Sequence, residues 1–313
     1  MIKTPICELL GIKYPIFQGG MAWIANASLA SAVSNAGGLG IIAGMNSNAE
    51  QLSAEVNKLL TMTDKPFAVN VMLMSPFADE VAQAVIDLKV PIVTTGAGNA
   101  SKYMKQWNEA GIKVIPVVPS TALAKMAERG GAAAVIAEGC ESGGHVGELT
   151  TMSLVPQVCD VVSIPVIAAG GIADGRGVAA SFMLGACGVQ LGTRFLVANE
   201  CTIDQAYKDK ILSAKDIDTI VTGKRLGHPV RGLKNNLTKQ FWSMEYDSNI
   251  TNEEIEQFAA GALRRAVEGD VKNGSVLAGQ IASMVKKEQS CREIITEIFD
   301  ETETILRGAA KWA

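Results

Sequence analysis

The sequence predicts an α/β protein built on a parallel (β/α)8, or TIM, barrel. Eight short apolar runs recur before Phe195, spaced about 20 to 30 residues apart, which is the length of one βα unit. The runs are apolar almost throughout, as strands covered on both faces must be. An open doubly wound sheet is the alternative. Eight even units, with ligand-type glycine turns after the last two, favour the closed barrel.

The elements follow one another in regular order. Proline opens several of the predicted strands, as suits a first strand position that donates no hydrogen bond to the sheet. The eight strands begin near Pro15, Gly38, Pro66, Pro91, Lys113, Ala133, Pro165 and Cys187. Helical spacing or strong helix formers occupy the segments between them. These predicted helices are Ser28–Ala36, Asn48–Leu60, Phe77–Leu88, Ser101–Ala110, Thr121–Arg129, Thr151–Val162 and Gly175–Leu184.

The regular alternation of predicted strands and helices ends after Phe195. Residues 215–245 are polar and rich in turn signals, and helical patterns return at Asn252–Glu268, Ser275–Lys287 and Arg292–Trp312. We therefore expect three parts. Residues 1–199 form the barrel, residues 200–270 form a smaller lobe over its C-terminal mouth, and residues 271–313 form helices that pack back on the barrel.

Composition narrows the class of protein. Hydrophobic residues make up 48% of the 313 positions, and the formal net charge is −4, which argues against a nucleic-acid or membrane-surface binder. No apolar run is long enough to span a bilayer, and the first residues lack a secretory leader. The six cysteines include no C-x-x-C pair, which favours free thiols in a reducing compartment. We expect a cytoplasmic protein.

Two consecutive glycine turns predict a phosphate site. Pro165–Gly171 and Gly188–Thr193 each read as an apolar strand that ends at glycine, where backbone N–H groups can approach an anion without a Cβ in the way. In (β/α)8 barrels the loops after strands seven and eight commonly hold phosphate. A third glycine segment, Gly274–Gln280, is predicted to open a helix whose amides lie near the same phosphate or merely cap the helix.

The other strand ends carry few polar groups, and no cluster with metal-ligand spacing is present, so we expect no metal site. A glycine-rich pocket without metal suits a flat cofactor that brings its own reactivity, and flavin mononucleotide (FMN) fits. Asn70, at the end of the third strand, is placed to contact the ring. It could instead tie two loops together.

His145 lies in a glycine-rich loop that leaves the sixth strand above the predicted mouth. Imidazole titrates near neutrality, so His145 could donate a proton or polarise a carbonyl, although a lone histidine is more often structural. Cys140 in the same loop is interpreted as a small buried filler. His228 lies in a stretch with five cations and no acid, Lys224–Lys239, which is either a solvated loop or a docking surface for an acidic partner.

The motifs together resemble one family. They are YPIFQGGMA from Tyr14, AGGLG from Ala36, Asn70, TTGAGN from Thr94, AEGCESGGHVG from Ala137, PVIAAGGIAD from Pro165, QLGTRF from Gln190, GHPVRGLKN from Gly227 and AGQI from Ala278. This set, which covers nearly the whole chain, is similar to the flavin-dependent type II enoyl-acyl-carrier-protein reductases of bacteria, the FabK family. That family belongs to the wider nitronate monooxygenase superfamily.

The resemblance implies an FMN enzyme that reduces the 2,3 double bond of enoyl thioesters on acyl carrier protein with NADH or NADPH, and His145 would be its catalytic histidine. The residues implied to bind the cofactor are Gly20, Met21, Ala22, Asn70, Glu138, Gly171, Gly192, Thr193, Gly279 and Gln280. Those predicted to bind substrate are Thr95, Gly96, Asn99, His228 and Arg231. Apolar patterns on the C-terminal helices suggest a homodimer.

Three other functions stay open. The first is a nitronate monooxygenase on the same fold. The segments NVMLMSPF and TTGAGN favour the reductase over it. The others are a flavin-binding regulatory barrel and a flavin-free lyase or isomerase with a phosphorylated substrate.

Overall fold

The structure is a computed structural model that describes residues 2–44 and 47–312. Its strands are β1 Ile16–Gln18, β2 Gly40–Ala43, β3 Phe67–Met72, β4 Ile92–Gly96, β5 Lys113–Val118, β6 Val135–Glu138, β7 Gly144–His145, β8 Val166–Ala169, β9 Gly188–Leu191, β10 Thr219–Thr222 and β11 Val230–Leu233. Every predicted strand is present at its predicted place.

Helices alternate with these strands. They are α1 Pro5–Leu10, α2 Ala27–Asn35, α3 Ala49–Leu60, α4 Ala78–Asp87, α5 Ser101–Glu109, α6 Thr121–Arg129, α7 Thr151–Cys159, α8 Gly175–Met183, α9 Thr193–Leu196, α10 Gln205–Leu212, α11 Asn236–Glu245, α12 Asn252–Ala259, α13 Ala262–Val267 and α14 Cys291–Gly308. Short 3-10 helices span Gln280–Met284 and Ala309–Trp312. Several starts are encoded locally. Ser290, for example, caps α14 and forms a capping box with Glu293.

Eight strands pair in parallel in the order β1–β9–β8–β6–β5–β4–β3–β2. Backbone hydrogen bonds from Gln18 N to Leu39 O, at 3.0 Å, and from Leu39 N to Ile16 O, at 2.8 Å, join the two ends of this sheet. The predicted (β/α)8 barrel is therefore confirmed, and the open doubly wound alternative is wrong.

The barrel interior has an apolar lower part and a polar top. Side chains that alternate along the strands fill the lower part, among them Phe17, Leu39, Ile41, Ala68, Ile92, Ile115, Ile136 and Ile167. The alternate positions face outward and pack under the helices, as Val69, Val93 and Val114 do. The apolar interior ends at Ala169, level with Glu138 across the β6–β8 pair. Polar side chains therefore begin at the carboxyl ends of the strands, which we call the mouth.

A second, antiparallel sheet lies at the mouth. Strand β10 pairs with β11, and β11 pairs with the two-residue strand β7, which belongs to the loop that leaves barrel strand β6. The later part of the chain is thereby bonded to the loop that carries His145. The division at residues 199 and 270 stays a prediction.

Two helix predictions after residue 250 are wrong in detail. The segment 252–268 is two helices, because Gly261 between them has a φ of 68°, which a right-handed helix does not allow. The segment 275–287 is not an α-helix. Leu233 N donates to Val276 O at 2.8 Å, and Leu277 pairs with Gly232, so sheet pairing with β11 overrides the helical spacing.

Helix α14 packs against α8 and α2. Its buried residues include Ile294, Ile298 and Phe299, and the Phe299 ring lies 5.0 Å from that of Tyr14. The apolar face of α14 is thus used within the chain, and the homodimer stays a prediction. No helix in the described ranges has the length and apolar character needed to cross a membrane.

Candidate active site

Four polar side chains form the top layer of the barrel interior. Asn70 and Thr94 are register partners on β3 and β4, and Thr94 Oγ1 lies 2.9 Å from Asn70 Oδ1 as its hydrogen-bond donor. Glu138 and Gln190 complete the layer, since they share interior positions with Ala169 along the β6, β8 and β9 ladder. A ligand that enters the mouth meets amide, hydroxyl and carboxyl groups on an apolar base.

The loop after β1 approaches this layer closely. A Cβ added at Gly20 would lie 2.3 Å from the Cβ of Asn70, so only glycine fits there. Met21 lies next to the last barrel strand, because a Cβ added at Gly192 would lie 3.7 Å from its sulfur. The structure therefore brings Gly20, Met21, Asn70 and Gly192 together, as the sequence predicts. Ala22 follows Met21 and is half-buried.

The glycine turns after β8 and β9 meet the segment before the 3-10 helix at Gln280. Gly279 N donates to Thr193 Oγ1 at 2.9 Å, and Gln280 N donates to the backbone oxygen of Glu141, also at 2.9 Å. Gly171, with a φ of 71°, lies against the side chain of Glu141. Gly279 and Gln280 therefore lie beside the predicted phosphate turns, at the start of a 3-10 helix rather than an α-helix, and their amides are bonded within the chain.

The loop from residue 140 to residue 149 is held at several points. Cys140 N donates to Leu149 O at 2.8 Å and closes its base. The Glu141 carboxylate accepts bonds from Thr151 N, at 2.9 and 3.0 Å, and from Thr151 Oγ1 at 3.0 Å. Strand β7 at its centre pairs with β11. His145 is thus carried on a braced loop at the mouth, where its side chain is exposed.

Glu138 lies deep in the mouth yet keeps some accessible surface, as expected for a group that lines an open cavity. Burial raises its pKa to about 7, from an ordinary value of 4.5, and the Ser142 hydroxyl beside it offsets this only in part. Ser142 Oγ is itself buried and has no hydrogen-bond partner of good geometry among the described residues. Glu138 can therefore hold or release a proton near neutrality.

His145 lies near the second histidine. Although its side chain is exposed, the surrounding protein partly dehydrates it and lowers its pKa, and the positive charge of His228 lowers that pKa further. His228 is also exposed. The described residues contain no group of three or more histidine, cysteine or acidic side chains that could hold a metal ion.

Several predicted substrate residues are placed away from the mouth interior. Thr95 follows Thr94 on β4 and therefore faces the helix layer, where it is buried. Asn99 Oδ1 accepts bonds from Ser101 N at 2.9 Å and Ser101 Oγ at 2.7 Å. Gly96 does lie near Asn70. Substrate contacts by these three residues stay predictions.

Arg231 is buried and its N–H groups are used within the chain. Its Nε and Nη2 atoms donate to Cys140 O at 3.2 and 3.1 Å, and Nη1 donates to Thr219 Oγ1 at 3.2 Å. Arg231 therefore braces the base of the histidine loop. Substrate binding by Arg231 stays a prediction.

Sequence reasoning missed four residues of this site: Thr94, Glu141, Ser142 and Gln190. Gln190 could have been found, because it is a polar residue at an interior position of the apolar strand Gly188–Leu191. Glu141 could not, because its partner Thr151 is recognisable only once the loop is folded.

Fold and candidate site together define a class: a (β/α)8 protein with glycine turns and a polar layer at the carboxyl ends of its strands and a histidine loop above them. The sequence model of the nitronate monooxygenase family matches residues 3–85 and 75–301. The chain belongs to this family of oxidoreductases.

Known proteins resemble the whole chain. FabK from Thermotoga maritima is 47% identical, with a TM-score of 0.97 and complete coverage of both chains. A (3aS,4S,5R,7aS)-5-hydroxy-7a-methyl-1-oxo-octahydro-1H-indene-4-carboxyl-CoA dehydrogenase from Mycobacterium tuberculosis is 33% identical over 99% of this chain and 98% of its own. A probable nitronate monooxygenase from Staphylococcus saprophyticus is 35% identical over 91% of this chain and 94% of its own. The predicted FabK resemblance is confirmed.

Proposed function

We propose that this protein is an FMN-dependent reductase of trans-2-enoyl thioesters on acyl carrier protein, with NADH or NADPH as the reductant, acting in the cytoplasm. The observation that carries the proposal is the full-length likeness to FabK at 47% identity. The name of the Mycobacterium relative is that of a carboxyl-CoA dehydrogenase, which supports an acyl thioester as the substrate class. The exposed His145 above the polar layer supports chemistry at a carbonyl group.

The residues at the mouth fit FMN. Gly171 and Gly192 carry no side chain that would block a phosphate, and Thr193 stands beside them with its hydroxyl held by Gly279 N. The buried Ser142 hydroxyl lies beside Glu138 but has no hydrogen bond of good geometry among the described residues, which a bound ligand would supply. Asn70 and Glu138 would meet the ring, along with the loop Gly20–Ala22. When bound, FMN would supply the transfer of hydride between the nicotinamide and the enoyl β-carbon.

In this proposal the chain's own groups orient the substrate and manage its proton. His145 donates a hydrogen bond to the thioester oxygen and a proton to the α-carbon, so that the negative charge that develops on the thioester is neutralised. The exposed imidazole then regains its proton from water. In this proposal the nicotinamide and enoyl groups bind at the mouth in succession.

The direct test is anaerobic stopped-flow spectroscopy of the purified protein. We expect a yellow protein whose visible absorbance bleaches rapidly with NADH or NADPH and recovers when crotonyl thioester is added. A colourless protein that takes up no FMN would contradict the cofactor, and would leave a flavin-free enzyme or a different ligand. A reduced protein that crotonyl thioester does not reoxidise would contradict the substrate.

A second candidate is a nitronate monooxygenase. The family match and the 35% likeness to the Staphylococcus protein favour it. Such an enzyme would oxidise a nitroalkane anion with oxygen and would need no nicotinamide. Aerobic turnover of the anion of nitroethane, without bleaching by NADH or NADPH, would support it over the reductase, whereas tight FMN binding with neither reaction would support a regulatory role.

His145→Ala tests the proposed catalytic histidine. Since the side chain is exposed, we expect the variant to keep its FMN and its yellow colour. We expect enoyl reduction to fall about 10²- to 10⁴-fold, the usual contribution of a general acid. Stopped-flow reoxidation by crotonyl thioester measures this, and turnover at the wild-type rate would remove His145 from the mechanism.

A further inference from the structure

The chain contains only two histidines, and the fold brings them to one place. His145 forms β7 with Gly144, and His228 lies two residues before Val230, which pairs with β7. Val230 is the register partner of His145, and Val146 N donates to Pro229 O at 3.0 Å, so the pairing continues toward His228. They are 83 positions apart (228 − 145) in the chain.

The register decides which way the two side chains face. Paired residues of an antiparallel ladder lie on the same face, and so do residues two apart along a strand. His145 pairs with Val230, and His228 is two residues before Val230. His228 lies just before β11, which begins at Val230, and the bond from Val146 N to Pro229 O extends the pairing to the residue next to it. We therefore place the two imidazoles on one face as diagonal cross-strand neighbours, a separation that long side chains can bridge.

The turn that carries His228 is fixed by local bonds. His228 N donates to Gly223 O at 3.1 Å, and Gly223 has a φ of 83°. A Cβ at Gly223 would lie 2.5 Å from the carbonyl oxygen of His228, so glycine is needed for this approach. The position of His228 relative to β7 is thus built into the hairpin.

We propose that His228 is a positioning residue that acts through His145: held on the same face of the ladder, it opposes a second positive charge there and sets the pH range in which His145 changes its protonation state. This inference rests on the proposed function only for its consequence on enoyl reduction. The coupling of the two imidazoles is a property of the fold alone.

The electrostatics of the mouth support the proposal. Dehydration by the surrounding protein and then the charge of His228 lower the pKa of His145. The other charged groups near the ladder are directed elsewhere or lie on flanking loops. Arg231 faces the opposite side and binds Cys140 O, Glu141 binds Thr151, Arg225 binds the 244–252 segment, and Lys224 and Glu148 are exposed.

Proton NMR of the imidazole Cε1–H groups tests this in the FMN-loaded protein. The wild type gives two histidine signals, and His145→Gln and His228→Gln assign them. In His228→Gln, we expect the titration midpoint of His145 to move to higher pH. In His228→Lys, which keeps a positive charge, we expect it to stay at or below the wild-type midpoint. Lys224→Gln is the matched control, because it removes a charge from the same turn.

Activity supplies the second readout. We expect the limb of the kcat/KM profile that His145 governs to move upward in His228→Gln by the same interval as the NMR midpoint. An unchanged His145 midpoint in that variant, or an equal shift in Lys224→Gln, would overturn the proposal. If the wild type reduces no enoyl thioester, the proposed function fails while the NMR titration still decides whether the histidines are coupled.

Discussion

Glu138, at the end of β6, and Glu141, in the loop that follows, are two carboxylates with opposite environments. Glu141 accepts three hydrogen bonds from Thr151 and so serves as a structural anion at the start of α7. Glu138 ends β6 in the mouth, where burial raises its pKa to about 7. Two identical side chains three residues apart thus perform different tasks because one is hydrogen-bonded and the other is dehydrated.

The raised pKa of Glu138 makes stability depend on pH. The unfolded chain loses this proton above about pH 4.5 and the folded protein only above about pH 7, so the wild type should lose stability as pH rises between these values. We expect Glu138→Gln, which cannot ionise, to gain on the order of 1 to 3 kcal/mol over the wild type across this window. Urea unfolding of both proteins without FMN, from pH 4.5 to 8, measures it. A difference that does not vary with pH would contradict the burial argument.

Single residues were predictable where chain position alone implied their placement. Asn70 and Glu138 end predicted strands, so the carboxyl-end rule for barrels placed them in the mouth. Arg231 was harder. It reads as one cation among five in a polar stretch, and its burial against Cys140 depends on the pairing of β11 with β7, which has no local signal.

At the scale of elements, the histidine loop depends on a strand that comes much later in the chain. Arg231 on β11 gives two N–H groups to Cys140 O. In Arg231→Gln this carbonyl loses its charged donors, which we expect to cost about 1 to 3 kcal/mol and to speed amide hydrogen exchange across residues 140–149. Enoyl reduction should fall while FMN is retained.

Arg225→Gln is the matched control for that experiment. Arg225 also donates to backbone oxygens, including that of Asp247 at 2.9 Å, but its bonds within the described residues go to the 244–252 segment and not to the histidine loop. It should lose stability without faster exchange at 140–149. Equal exchange in both variants would mean that Arg231 does not brace the loop.

The turn after β9 offers a test of the phosphate cradle. Among the described residues, a Cβ at Gly192 would meet Met21 at 3.7 Å, which is ordinary contact, so Gly192→Ala should fold normally. The added methyl would occupy space that a phosphate needs, and we expect FMN affinity to fall at least about 10-fold. Fluorescence titration with FMN measures this. Gly308→Ala, with nothing within 4 Å, is the control, and equal affinities would place the phosphate elsewhere.

Strands and helices were predicted correctly where the hydrophobic periodicity agreed with the proline and glycine signals at their ends. The prediction failed where a segment pairs with a strand that is distant in the sequence. Apolar runs begun by Pro66, Pro91 and Pro165 all became strands. The helical spacing of 275–287 was misleading, because Val276 and Leu277 hydrogen-bond and pair with β11, more than 40 positions earlier. A one-dimensional pattern does not reveal such a partner.

On the scale of the whole molecule, the five cations of the stretch Lys224–Lys239, one possible docking surface, have different environments. Arg225, Arg231 and Lys234 are bonded within the chain, while Lys239 stays exposed on α11. Trp242 and Tyr246, three and seven residues further along, share its helix face. They are 49% and 74% exposed, and their rings lie 4.8 Å apart. We therefore expect the acyl carrier protein to meet this face of α11.

Lys239→Glu combined with Trp242→Ala tests that contact. Removing a cation and an aromatic anchor should raise the KM for crotonyl-acyl carrier protein about 3- to 10-fold and leave the KM for crotonyl-CoA unchanged. Steady-state kinetics with both substrates measures the difference. Lys125→Glu, on barrel helix α6, is the control. A parallel rise for both thioesters would mean that α11 serves the catalytic site rather than the carrier.

The bond between Gly279 N and Thr193 Oγ1 joins residues 86 positions apart. During synthesis, all eight barrel strands leave the ribosome well before Gly279 is made. A nascent chain halted shortly after α9 would thus possess its complete cylinder but lack one wall of its pocket. Loading of the proposed FMN should accordingly follow the synthesis of Gly279.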